Sequence, residues 1–206
     1  MSGLRKVAVG SAAGLLAVAG VIASTGSASA DTSLTVKYAV TGSTNLAAPN
    51  ASLPLGPGHL ISTVDLTTGA LTATLKLPEA TGSFKELGLV PVTATAKLIN
   101  DGPTTGQVDP TTGAVTTTSM ITMKIVSLIV AGINTPVGNS CETSTPVTVQ
   151  VASQPGFSIV GGGNLAGTYT IPPFANCGLA TVLINLTLPG PGNTITLTLG
   201  PAKVVK

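Results

Sequence analysis

The chain has 206 residues, of which 43% are hydrophobic and only 8% charged, with nine Lys plus Arg, seven Asp plus Glu and one His. Aliphatic content this high with so little charge argues against disorder, and the length admits one domain with a sizeable core. The only arginine is Arg5, close to the N-terminus, so the side chain best suited to phosphates and guanine edges is missing from the body of the chain, and nucleic acid is not expected as a partner.

Residues 1–30 read as a secretory signal peptide. Arg5 and Lys6 form a positive n-region, residues 7–23 are apolar and rich in small side chains, and Ala28 and Ala30 offer an Ala-x-Ala cleavage site before Asp31. The apolar run is short for a membrane span. Removing Arg5 and Lys6 leaves seven lysines against seven acids over residues 31–206, a formal net charge of zero. No polybasic patch remains to hold a membrane surface.

From residue 34 onward the apolar period is two. In "LTVKYAV", Leu34, Val36, Tyr38 and Val40 share one face. The alternation returns in "LTATLKL" (71–77), "VPVTATAKL" (90–98), "VTVQV" (147–151) and "TITLTL" (194–199), separated by Gly, Pro, Asn and Asp clusters such as "PLGPG", "NDGP", "NTPVGN" and "PGPGN". No stretch after residue 30 carries a capped helical stripe. The pattern predicts an all-β fold of ten to twelve strands over residues 31–206, either an antiparallel β-sandwich of the Ig-like, Greek-key type or a flattened barrel.

Two nearly identical phrases, "VDLTTGALT" from Val64 and "VDPTTGAVT" from Val108, read as hairpin tips. Asp65 and Asp109 can accept from nearby backbone N–H groups, Pro110 suits a type I turn, and Gly69 and Gly113 can take the left-handed conformation that closes it. Neither aspartate has neighbouring carboxylates to build a calcium site. One segment breaks the alternation: "MITMKIVSLIVAG", residues 120–132, becomes nearly continuously apolar. It reads first as a central strand buried on both faces. The alternatives are a contact with another chain and the wall of an apolar ligand cavity formed by Met120, Met123, Ile125, Leu128 and Val130.

Candidates for chemistry are few. His59 is the only imidazole, and no GxSxG elbow accompanies it. Asp65, Asp101 and Asp109 fall in turns, Glu79 in a loop and Asp31 at the terminus, which leaves Glu86 and Glu142 for carboxylate catalysis. "GGGNLAG", from Gly161, lacks the Lys-Ser/Thr and the helix of a phosphate loop. With no Trp and five aromatics in all, a carbohydrate platform is poorly supplied. The expectation is therefore no enzyme, no cofactor and no metal site. In an exported chain two cysteines, Cys141 and Cys177, read as a disulfide; a metal site would need closer ligands than His59 and a CxxC spacing that is absent.

The C-terminal third, "CETSTPVTVQVASQPGF", "GGGNLAGTYTIPPFANCG" and "LINLTLPGPGNTITLTL", resembles a group of small secreted actinobacterial β-rich proteins in which two cysteines bracket a "GTYTIP-x-F-x-x-CG" block and a "GPGNT" turn precedes the last strand. The upstream "LGLVPVTATAKL" is similar as well. The resemblance implies an exported β-rich protein with a Cys141–Cys177 bridge, and it implies no activity and no ligand. The expected function is that of a non-catalytic structural or interaction module, secreted or held noncovalently at the cell envelope, since "GPAKVVK" is not an LPxTG-type anchor. Other envelope proteins are its expected partners. The alternative is an extracellular carrier of a lipid or other apolar ligand.

Overall fold

The computed structural model describes residues 32–205 apart from residue 87, with residue 86 described in its backbone alone. The predicted leader (residues 1–30, with Arg5, Lys6 and the cleavage after Ala30), Asp31 and the Glu86 side chain lie outside the described residues.

Among the described residues, ten strands of five residues or more carry the fold. They are β1 (Ser33–Leu46), β2 (Ala51–Asp65), β3 (Ala70–Lys76), β4 (Ala80–Glu86), β5 (Val90–Asn100), β6 (Thr104–Val108), β7 (Val115–Val130), β10 (Val147–Ser153), β11 (Gly163–Ile171) and β13 (Gly190–Leu199). Two-residue strands β8 (Ile133–Asn134), β9 (Glu142–Thr143), β12 (Phe174–Ala175) and β14 (Lys203–Val204) tie down connections, and one 3-10 turn, η1 (Gly178–Ala180), leads into helix α1 (Thr181–Thr187).

The all-β, antiparallel expectation holds, and the ladders settle how the sheet ends. Strands run in the order β10-β11-β13-β1-β2-β3-β6-β7, and β7 then pairs with β10. Eight staves thus form a closed barrel. The stagger can be followed on its outer face: Thr35 pairs with Thr63, then Thr72, Thr105, Thr118, Gln150, Thr168 and Thr194. That line returns to β1 at Asn45, ten residues beyond its start. A stagger of this size tilts the staves by about 40° and opens an interior that eight strands fill with side chains or share with one small ligand.

Strand β7 is what makes the architecture more than a barrel. It is 16 residues long; one edge pairs first with β6 and then with β5, so the β4–β5 hairpin fans away from the ring. Strand β4 comes to lie against β2 without a ladder. A Cβ on Gly82 would sit 2.4 Å from the Leu53 side chain, so only glycine permits that approach.

The continuously apolar reading of residues 120–132 is corrected. Strand β7 alternates, but a bulge between Ile125 and Ser127 adds Val126 and reverses the phase. Ile121, Ile125 and Leu128 are buried, whereas Met120, Val126 and Ile129 reach the outer surface. Two interleaved period-two patterns, offset by one residue, read in sequence as an unbroken apolar run. Helix α1 is the other departure. It is seven residues long with no side-chain cap, too short for a stripe to register, and it is held tertiarily by Asn185. The Asn185 side chain accepts from Phe174 N–H (2.7 Å) and donates to Phe174 O (2.9 Å), locking β12 to α1.

Cys141 and Cys177 form a disulfide with a Cα separation of 4.3 Å, and both are completely buried. The repeated phrases are indeed twin hairpin tips. Asp65 Oδ1 accepts from Thr67 and Thr68 N–H at 2.8 and 2.9 Å, and Asp109 Oδ1 from Thr111 and Thr112 at 2.7 and 3.0 Å. Gly69 and Gly113 have φ of 74° and 72°, the left-handed conformation in which a side chain is strained. Because β3 pairs with β6, the tips sit side by side: Val108 N–H donates to Gly69 O (2.8 Å) and Gln107 Nε2 to Thr68 O (2.6 Å).

Candidate functional site: the barrel interior and the apolar end

Inward positions of neighbouring staves line up in rows, and one row is unusually small. Starting from Val36 it runs through Ser62, Ala73 and Thr104. Thr104 Oγ1 then lies 2.7 Å from Ser119 Oγ, and Ser119 pairs with Val149, Val149 with Tyr169 and Tyr169 with Asn193. Four successive staves contribute Ser, Ala, Thr and Ser where a barrel of this width needs bulk. The result is an apolar void of about 70 Å³. A second void of about 60 Å³ lies towards the disulfide end, lined by Met123, Ile125 and Phe174 among others. Ile121, Val149 and Ile195 border both.

The fully buried side-chain polar atoms of this interior are partnered with one exception. Tyr38 OH donates to Ile159 O (2.7 Å), and burial pushes its phenol pKa up. Tyr169 OH lies 2.5 Å from Thr44 Oγ1, which itself donates to Thr194 O; burial raises the Tyr169 phenol, and the Thr44 contact opposes that shift. Asn193, 1% exposed, accepts from Ala47 N–H (3.0 Å) and donates to Gly190 O (2.8 Å) and Tyr169 O (3.3 Å). It binds the β1–β2 turn to β11 and β13. The exception is Ser62, 2% exposed, whose Oγ borders the 70 Å³ void and has no protein hydrogen-bond partner.

The mouth nearer the twin hairpin tips is covered by the β10–β11 connection. Phe157 and Ile159 turn inward onto Val64, Leu71 and Val115. The segment is fastened by the Tyr38 contact, by Ala202 N–H to Val160 O (2.9 Å) and by reciprocal bonds between Ser158 and Gly162. In the "GGGNLAG" stretch Gly161 and Gly162 belong to the turn and residues 163–167 already form the start of β11, a strand where a phosphate loop would need a helix.

Of the five proposed wall residues, Met123 and Ile125 line the second void, Leu128 is buried in the core without bordering either void, and Val130 is partly buried. Met120 is a correction: it is on the outer face, where Thr148 Oγ1 approaches its sulfur at 3.3 Å. Tyr38 and Ala73 fall on faces that alternation marks as inward, whereas Ser62, Thr104 and Ser119 were not singled out in sequence, because hydroxyl residues at alternating positions look alike whether they face in or out.

The ionisable groups stay dispersed. His59 in β2 has Ala39 and Lys76 as ladder partners, neither a carboxylate. Among the described residues no group of three His, Cys, Asp or Glu could hold a metal ion, and no helix is long and apolar enough to cross a membrane. Asp65 and Asp109 have their pKa values lowered by the backbone N–H groups of Thr68 and Thr67, and of Thr112 and Thr111, which is what a structural turn does to its carboxylate.

Exposed aliphatic side chains occur at the hairpin-tip end, where Leu66 and Val160 are 63 and 75% exposed, and in greater number at the disulfide end. Leu179 and Val182 and Leu186, one above another on η1 and α1, are 100, 70 and 77% exposed, and Leu89 and Ile133 on two other connections are 82 and 71% exposed. Leu186 borders a shallow depression with Lys85 of β4 and Gly88 of the β4–β5 connection, and Ala131 N–H, between β7 and β8, donates to Pro91 O near the start of β5.

Comparison with family models, curated proteins and solved structures finds no match to this chain.

Proposed function

We propose that residues 31–206 form a non-catalytic, exported β-barrel that works as a structural or interaction module at the cell envelope. The observation that carries the reading is the contrast between the barrel's two surfaces. The stave wall is clad in Thr, with a full turn of it traced from Thr35 to Thr194, whereas Leu89, Ile133, Leu179, Val182 and Leu186 expose aliphatic side chains at one end. Apolar side chains gathered on connections at one end mark a contact surface. The dispersal of His59 and the acids supports a role without bond chemistry. The carrier reading is narrowed by size: two voids of about 70 and 60 Å³ fall well short of the several hundred Å³ that a lipid-sized ligand occupies.

The test is fractionation of producing cells with wild type and Val182→Asp/Leu186→Asp. Both side chains are largely exposed, so the variant keeps its melting temperature. Its release from envelope to medium is expected, and an unchanged distribution refutes the assignment of the apolar end.

A further inference from the structure

We infer that the 70 Å³ chamber inside the barrel is a binding site for a small apolar molecule carrying one hydrogen-bonding group, of the class of short aliphatic alcohols and ketones, with Ser62 Oγ as its polar contact. Protein interiors are packed like organic crystals, with few voids larger than a water molecule. Here the unfilled space follows from one row, Ser62, Ala73, Thr104 and Ser119, on four adjoining staves. Everything else around it is aliphatic or aromatic except Tyr38, whose hydroxyl is turned to Ile159 O, and Thr117.

Ser62 supplies the second, independent observation. A buried hydroxyl without a partner is costly, and this one, 98% withdrawn from solvent by the 2% exposure it retains, borders the chamber. Thr104 and Ser119 satisfy each other across their ladder, so within this row Ser62 is the hydroxyl left to meet a ligand. Ile121, Val149 and Ile195 border both voids, so they are the side chains that a slender chain would have to displace to reach the second. An apolar cavity of about 150 Å³ in another protein takes up benzene, and the two voids here, 70 and 60 Å³, are together of that order. Access is by the β10–β11 connection, where Phe157 and Ile159 close the mouth. The inference concerns the interior and is independent of the role assigned to the apolar end.

The experiment is an amide-resolved NMR titration of residues 31–206 with 1-pentanol and with n-pentane, on wild type and Ser62→Ala. Saturable shifts centred on Ser62, Ala73 and Thr104 are expected with both probes in the wild type. Ser62→Ala folds, since it removes an unpartnered group, and should weaken pentanol binding about fivefold while leaving pentane binding unchanged. Absence of saturable shifts, shifts centred on Val182 and Leu186 instead, or an unchanged preference for pentanol in Ser62→Ala would each overturn the inference.

Discussion

Removing the disulfide by Cys141→Ala/Cys177→Ala tests how the last third of the barrel is held. The bridge spans 36 residues and encloses β10 and β11, two of the eight staves. In the chain-entropy relation a cross-link over that span restricts the unfolded chain enough to stabilise by about 4 kcal/mol. Both cysteines are completely buried, so trimming them to alanine removes packing in addition. For a domain of this size 1 kcal/mol moves the melting temperature by about 2–4 °C, which gives a fall of about 10 °C by calorimetry. Urea unfolding provides a second reading: the midpoint should drop and the m-value rise, because the uncrosslinked chain exposes more surface when it unfolds. A fall of less than about 3 °C with an unchanged m-value would refute the argument that the bridge acts through the unfolded state.

Two further changes probe the polar anchors. Asn193→Ala strips three hydrogen bonds from a site 1% exposed and takes from Ala47 N–H its side-chain acceptor; a loss of about 3 kcal/mol in urea unfolding is expected, and one below about 1 kcal/mol would show that the β1–β2 turn holds without it. Asp65 and Asp109 have lowered pKa values in the folded chain, so their contribution is present above the unfolded value of about 4 and is lost as pH falls through the folded values. Melting temperatures taken from pH 6 to pH 2 should therefore fall less steeply in Asp65→Asn/Asp109→Asn than in wild type, and parallel curves would remove the carboxylates from the account.

Much of the sheet was legible because its cause is local. Alternation in "LTVKYAV" and "TITLTL" places Val36, Tyr38, Ile195 and Leu197 inward with no knowledge of neighbours, and the Asp and Gly of the twin phrases specify their turns within six residues. Closure was not legible, because it depends on a ladder between β7 and β10 and on another between β1 and β13, partners far apart in the chain. The Val126 bulge hid a phase change inside a run of similar side chains. The interior row was hidden for a related reason: Ser62, Ala73, Thr104 and Ser119 become a group only when the register of four strands is known.

The pairing of β1 with β13 also dictates when the molecule can exist. The first stave finds its second neighbour only in residues 194–199, so a chain emerging N-terminus first must wait as an open meander, one side of β1 unsatisfied, until nearly all of it has been delivered. Such distant pairing makes for slow assembly. A nascent chain with so few charges is most exposed to sticking during that interval, and the last stave to arrive is the one that ends it.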